Sequence, residues 1–90
     1  MNIASRLQVP VSLEVLPRRQ HATVALIDWS QLAAPEARRL REFGFDEGVE
    51  VEVLHRAALG SGPIACRIGR MTVALRRRVA SAIHVAPLAG

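Results

Sequence analysis

The sequence contains no lysine, so all 12 of its basic residues are arginines. Against 8 acidic residues they give a formal net charge of +4 and a pI of about 11.3. Because a guanidinium stays charged at any ordinary pH, arginine makes the pI look extreme, and the charge alone does not indicate nucleic-acid binding. A complete lack of lysine is more typical of codon bias than of function.

Aromatic residues are also scarce, at 3% of the chain, so the core must be built from aliphatic side chains. The single Cys66 excludes an internal disulfide and fits a reducing, cytoplasmic compartment. No apolar run approaches the ~20 residues of a membrane-spanning helix. Residues 1–6 lack a signal-peptide pattern, so we expect neither export nor membrane insertion. With 50% hydrophobic residues in 90, the chain predicts one folded domain.

The most informative pattern lies around Gly44. Pro35 is typical of a first helical turn, and Ala37, Leu40 and Phe43 form an apolar stripe after it. Gly44 then occupies the position where helices favour a positive φ. In that frame Leu40 and Phe45 are the two residues that touch in a Schellman cap. The strict alternation of residues 49–53 predicts a strand directly afterwards.

The remaining segments predict mostly strands. Residues 21–28 have strand composition, with Ala22, Val24 and Leu26 inward and Ile27 outward. Residues 64–67 and 71–75 form a hairpin, residues 76–81 a helical turn and residues 83–85 a last strand. Residues 13–16 make a short turn that closes one end of the core. We expect an N-terminal arm (1–12), a small barrel (13–86) and a tail (87–90).

The sequence resembles the FeoA family, the small accessory proteins of bacterial ferrous iron transport. The resemblance rests on glycines and apolar residues at fixed spacings across nearly the whole chain, namely Arg39-Leu40-x-x-Phe43-Gly44-Phe45-x-x-Gly48, Val51-x-Val53, Ala58-Leu59-Gly60-x-Gly62-Pro63-Ile64, Val73-Ala74-Leu75-Arg76, Ala80 and Ile83-x-Val85. It implies a mainly β fold, an SH3-like β-barrel with one α-helix inserted between the first two long strands and a short C-terminal helical turn. The same fold occurs as the C-terminal domain of iron-dependent repressors. Since no helix-turn-helix pattern precedes the barrel, we do not expect a stand-alone repressor.

No pattern of catalytic residues accompanies the barrel. The serines have no base or orienting group at a recognisable spacing. Residues 60–63 lack the lysine and the following helix of a phosphate-binding loop. Cys66 has the parity of Ile64 and Ile68, so we interpret it as a core thiol. We therefore expect a protein that is not an enzyme and requires no cofactor.

A weak metal site is the first binding hypothesis. His21 begins one long strand and, if the strands pair antiparallel, faces outward with Glu50 and Glu52, whereas His55 has the parity of the inward valines. The pair His21 and Glu52 could hold Zn²⁺ or Fe²⁺, with water, anions or a second chain as further ligands. Three isolated, solvated histidines are the competing interpretation.

A docking surface is the second hypothesis. The resemblance implies a FeoB-type membrane permease with a cytosolic GTPase domain as the partner. Candidate contact residues are exposed arginines and one apolar loop residue, namely Arg38, Arg41, Arg76, Arg77 and Leu59. Solvated helix faces, and a Leu59 folded onto the barrel rim, are the competing interpretations. Two alternatives stay open: a basic nucleic-acid-binding barrel, which the scarcity of aromatics disfavours, and a metal-linked homodimer or metal sensor.

Overall fold

The computed structural model describes residues 9–57 and 62–88, which form one antiparallel sheet and one main helix. The strands are β1 (Val11–Ser12), β2 (His21–Ile27), β3 (Glu50–Arg56), β4 (Ile64–Ile68), β5 (Met71–Leu75) and β6 (Ile83–Pro87). The helices are α1 (Ala34–Phe43) and the short α2 (Arg77–Ser81), with 3₁₀ turns at Leu13–Val15 and Trp29–Gln31. The predicted helix between the first two long strands and the predicted helical turn near the C-terminus are both confirmed.

The six strands follow the order β1-β6-β2-β3-β4-β5, and every neighbouring pair is antiparallel. The sheet wraps around one aliphatic core to which all of the long strands contribute. The β4–β5 hairpin turns at Gly69-Arg70, where Gly69 has a φ of 60°, as the first position of a type II′ turn requires. Strand β1 adds Val11 and Ser12, from the segment expected to form an arm, to the sheet edge. The architecture is the SH3-like barrel that the family resemblance implies.

The helix ends in the cap predicted at Gly44. Gly44 has a φ of 93°, and its N–H donates to the Arg41 carbonyl at 3.0 Å. The Phe45 N–H donates to the Leu40 carbonyl at 3.0 Å, which completes the Schellman pattern. Both side chains are in the core, with Leu40 1% and Phe45 2% exposed. The cap therefore fixes both the end of α1 and the direction of the chain toward β3.

A β-bulge in β2 makes one sequence prediction wrong. Val24 pairs with Val85 and Leu26 with His84, so Ala25 is an extra residue without a partner of its own. One inserted residue reverses the alternation of side chains beyond it. Leu26, predicted inward, is 52% exposed, and Ile27, predicted outward, is 3% exposed.

A second bulge in β3 has the same effect and corrects the inward assignment of His55. Val53 pairs with Cys66 and His55 with Ala65, which leaves Leu54 as the extra residue. His55 is consequently exposed. Arg56 instead shares a face with its partner Ile64, whose side chain is fully buried. The bulge thus turns an arginine toward the end of the core.

Arg56 holds the 3₁₀ turn that closes this end of the barrel. Its Nη2 donates to the Glu14 carbonyl at 2.8 Å and also to the carbonyls of Leu13 and Leu16. Leu13 and Leu16 are fully buried beneath the turn, as predicted. The Leu13 carbonyl also accepts the turn's internal hydrogen bond from the Leu16 N–H, and the guanidinium supplies a charged donor to the carbonyls of Glu14 and Leu16 as well.

Candidate partner-binding surface

The arginines of α1 are all on its exposed side, but they are not equally available. The guanidinium of Arg41 lies over the ring of Trp29, 4.3 Å from the ring centroid. Such a cation–π contact contributes about 0.5–1 kcal/mol at an exposed site and orients the side chain. Arg38 and Arg39 are exposed and form no ion pair among residues 9–57 and 62–88. These two arginines are therefore the ones of the helix whose guanidinium has neither a carboxylate nor an aromatic ring against it in the described residues.

The second arginine cluster surrounds the start of α2. Arg76 is exposed, whereas Arg78 forms an ion pair with Glu36 of α1. The Nε of Arg77 is buried without a hydrogen-bond partner in the part of the chain that the structure describes. Burial, and then the positive charge of Arg77, lower the pKa of Arg56. Arg77 is therefore partly buried and less available to a partner than the exposed Arg76.

Glu36 joins the two clusters. One carboxylate oxygen accepts a hydrogen bond from the Ala33 N–H at 2.9 Å, which is one half of a capping box at the start of α1. The other oxygen accepts from Arg78. The ion pair links α1 to α2, although the two helices are more than thirty positions apart in the sequence.

A groove of about 270 Å³ lies between α1 and the end of β5. Its floor includes Leu40, Leu75 and Val79, and Arg39 and Arg76 are at its rim. The two predicted arginine clusters thus meet at one groove. We call the groove and these two arginines the α1–β5 groove.

The apolar loop residue Leu59 lies outside the described residues, so its predicted contact role stays a prediction. The roles of Arg38, Arg41, Arg76 and Arg77 as contacts for a partner are likewise predictions, now with defined positions.

The structure brings the predicted metal-binding pair together. His21 and Glu52 are register partners on β2 and β3, and His21 Nε2 lies 3.7 Å from Glu52 Oε1. His21 Nδ1 is 2.8 Å from Glu50 Oε2, and Arg67 Nη1 donates to Glu52 Oε1 at 3.2 Å. Within the described residues, no group of three or more His, Cys, Asp or Glu side chains has a metal-binding arrangement. Any ion here would need further ligands and would compete with Arg67 for Glu52.

Cys66 is the core thiol that its parity predicts. Its side chain is fully buried, and burial raises the pKa of the thiol from 9.0 to about 11. A thiol of this kind is a poor nucleophile at neutral pH because the thiolate is the reactive form.

Sequence reasoning missed Arg56 and the α1–β5 groove for different reasons. Arg56 continues an apparently regular alternation, and no residue type around Leu54 marks the bulge that turns it inward. The groove depends on the distance between α1 and β5, which only the folded chain defines. The nearest sequence signal is Glu36, whose spacing from Ala33 predicts a cap but not an ion pair with Arg78.

Taken together, the curved antiparallel sheet, the inserted helix and the closing 3₁₀ turn define a small SH3-like barrel protein. No helix among the described residues has the length and apolarity to cross a membrane. A model of the FeoA domain matches residues 11–87. The chain belongs to the FeoA family.

Solved structures agree with this assignment. A FeoA protein from Chlorobium tepidum has 31% identity and a TM-score of 0.77, over 89% of this chain and 72% of that one. FeoA of Stenotrophomonas maltophilia, solved in complex with zinc, has 34% identity and a TM-score of 0.66, over 86% and 88% of the two chains. That protein is described as a procaryotic SH3 domain protein and a suggested ferrous iron transport activating factor.

The barrel also resembles part of larger proteins. A manganese-dependent transcriptional repressor has 26% identity and a TM-score of 0.77, over 88% of this chain but only 42% of the repressor. None of the curated proteins compared with the chain matches it significantly.

Proposed function

We propose that this protein is a cytoplasmic accessory protein of bacterial ferrous iron uptake that binds and modulates the cytosolic GTPase part of a FeoB-type permease. It acts through protein–protein contact, without chemistry of its own. Membership of the FeoA family supports the role in iron transport. The meeting of Arg39 and Arg76 at one groove is the observation that carries the contact surface.

The charges around the α1–β5 groove favour an acidic partner. Arg39 and Arg76 have no carboxylate partner in the described ranges, whereas Glu36 is neutralised by Arg78. Complementary charge mainly speeds association and selects the partner, and exposed rim charges contribute modestly to affinity. A protein is favoured over a nucleic acid because the aromatic rings are occupied: Trp29 is under Arg41, and Phe45 is in the core.

Calorimetric titration against the permease's cytosolic domain tests the proposal. We expect binding that weakens about tenfold when both Arg39 and Arg76 are changed to Glu, and that weakens further as salt is raised. Arg18→Glu is the matched control, since Arg18 is also exposed and lies outside the groove. No binding at tens of micromolar, or equal losses for the control and the groove variants, would contradict the proposal.

Leu59→Ala tests the remaining predicted contact in the same titration. We expect a loss of affinity of a few-fold if the side chain inserts into the partner. An unchanged affinity, together with unchanged iron uptake in cells, would remove Leu59 from the contact surface.

Zinc or ferrous iron binding by His21 and Glu52 is a second candidate function. The close approach of the two side chains across β2 and β3, and the zinc complex of a relative with 34% identity, support it. The imidazole nitrogen and carboxylate oxygen suit either ion, but Arg67 must first release Glu52. Calorimetry with zinc should show uptake that His21→Ala abolishes and His55→Ala leaves intact. Equal uptake by both variants would place any bound ion elsewhere.

Sedimentation with and without a chelator then tests the metal-linked dimer. A loss of mass on chelation that His21→Ala reproduces would support a bridging ion, and an unchanged mass would exclude it.

A further inference from the structure

Strand β5 is an edge of the sheet with unpaired backbone groups. It pairs with β4 and with no other strand of the described residues. Ile68 and Met71 flank the two-residue turn, so they exchange hydrogen bonds, and the bonding pairs recur at every second residue. Val73 and Leu75 therefore bond to β4, whereas Thr72 and Ala74 direct their N–H and C=O groups away from it. Both of these residues are exposed.

The free edge of β5 runs into the α1–β5 groove. Ala74 and Leu75 line the groove on one side, and Glu36, Arg39 and Leu40 of α1 line it on the other. An open strand edge beside a helix, over an apolar floor, is the arrangement in which PDZ and PTB domains accept an extended peptide as an additional strand. Backbone hydrogen bonds then supply affinity, and the flanking side chains supply specificity.

The charges around this edge specify the occupant. Arg70 precedes β5, Arg76 follows it, and Arg39 faces it from α1, and none of the three forms an ion pair in residues 9–57 and 62–88. A basic or neutral strand would leave this charge uncompensated, whereas an acidic strand would neutralise it. Residues 1–8 of a second copy do not fit, because they contain one arginine and no acidic residue.

We infer that the free edge of β5 binds an extended acidic segment of a partner protein as a seventh strand, seated between β5 and α1. Thr72 and Ala74 form the backbone hydrogen bonds, and Arg39 and Arg76 pair with the acidic side chains. The inference rests on the proposed function only for the identity of the protein that carries the segment.

A synthetic peptide in which glutamate alternates with valine is the probe. Titration of the isotopically labelled protein should slow hydrogen exchange of the Thr72 and Ala74 amides about tenfold or more at saturation, because they become donors in a ladder. A peptide in which lysine replaces glutamate should bind at least about tenfold more weakly. Binding of the acidic peptide without protection of these two amides would overturn the inference.

Two backbone-methylated peptides test strand pairing without any change to the protein. One carries N-methyl groups on every glutamate and the other on every valine, so each lacks donors along one edge of the strand. Strand addition predicts that one peptide loses about tenfold or more in affinity relative to the other. Equal affinities would show that side chains alone make the contact and would overturn the inference.

Ala74→Pro provides the matching change in the protein. Proline removes only the N–H that points to the free edge, and edge strands tolerate it. Ala74→Ser keeps the N–H and is the control. We expect the proline variant to bind the acidic peptide about tenfold more weakly and the serine variant to bind normally. Equal binding by the two variants, with both folded by their amide spectra, would contradict the inference.

The same variants separate this inference from the proposed function. If the permease domain binds and Ala74→Pro weakens the binding of neither that domain nor the acidic peptide, strand addition is wrong and the proposed partner stands. If the acidic peptide binds at β5 and the permease domain does not bind at all, strand addition is supported and the proposed partner is wrong.

Discussion

Alkaline pH should destabilise this protein through one buried thiol. Cys66 is fully buried on β4, and its pKa is raised from 9.0 to about 11 because burial penalises the thiolate. The unfolded chain therefore releases the thiol proton at a lower pH than the folded chain does. The stability contributed by the neutral thiol is fully present below pH 9 and is lost as the pH rises toward 11.

The expected magnitude follows from the two pKa values. A shift of about two pKa units corresponds to roughly 3 kcal/mol when the loss is complete, and roughly 1 kcal/mol is lost between pH 8 and pH 10. A 90-residue domain has a total stability of roughly 5–13 kcal/mol, so this loss is a measurable fraction of it.

The composition of the chain leaves few other groups that could titrate in the pH range of this assay. The sequence has no tyrosine, and all of its Lys+Arg total is arginine, so Cys66 is the one side chain whose ordinary pKa lies between pH 8.5 and 11. Urea unfolding at several pH values should show a midpoint that falls across this window with an unchanged slope. In Cys66→Ala, which begins less stable because of the cavity it leaves, the midpoint should stay nearly constant over the same window. A constant midpoint in the natural sequence, or an equal fall in the alanine variant, would refute the assignment of the titration to Cys66.

Three substitutions test the other packing interpretations by the same urea unfolding assay. Arg56→Met should lower the free energy of unfolding by about 2–3 kcal/mol, because it leaves the carbonyls of the 3₁₀ turn without their charged donor. A loss as small as that of Arg18→Met would contradict the role of Arg56 in holding the turn. Gly44→Ala should cost about 1–2 kcal/mol, because alanine at a φ of 93° meets a Cβ clash with its own backbone, and no loss would argue against the Schellman cap. Leu26→Ser should change stability by no more than about 0.5 kcal/mol, whereas Ile27→Ser should cost several times more. The reverse order would contradict the bulge at Ala25.

Local sequence signals were sufficient for much of the fold. The cap at Gly44 could be predicted because a left-handed glycine and two apolar residues at fixed spacing leave one common helix ending. The hairpin at Gly69 and the buried turn at Leu13 follow from similarly local patterns. These features depend on residues that are near one another in the chain.

The side-chain directions beyond the bulges could not be predicted. Alternation defines a face only while both strands advance one residue at a time. At Ala25 and Leu54 one strand advances by a residue and its partner does not, and no residue type at these positions indicates a bulge. For that reason the alternation predicts the wrong face for Leu26 and His55 and does not indicate the inward direction of Arg56.

The two candidate sites also differ in how far the sequence alone predicts them. His21 and Glu52 could be placed opposite each other because two alternating strands with an antiparallel connection meet in few registers. The α1–β5 groove could not, since it depends on how α1 packs beside the end of β5, two elements far apart in the sequence. Arginine clusters can be counted in a sequence, but their meeting at one groove depends on tertiary structure.

Glu36 affects both the stability of the fold and the charge that the α1–β5 groove presents to a partner. Its carboxylate caps α1 and binds Arg78 of α2, and it thereby cancels the positive charge of Arg78 at a groove whose other charged side chains are arginines. A neutral residue at this position would loosen the two helices and would at the same time strengthen the attraction for an acidic strand. A substitution of Glu36 that tightens partner binding should therefore also weaken the link between α1 and α2. We expect a homologue without this carboxylate to have another stabilising contact between the two helices.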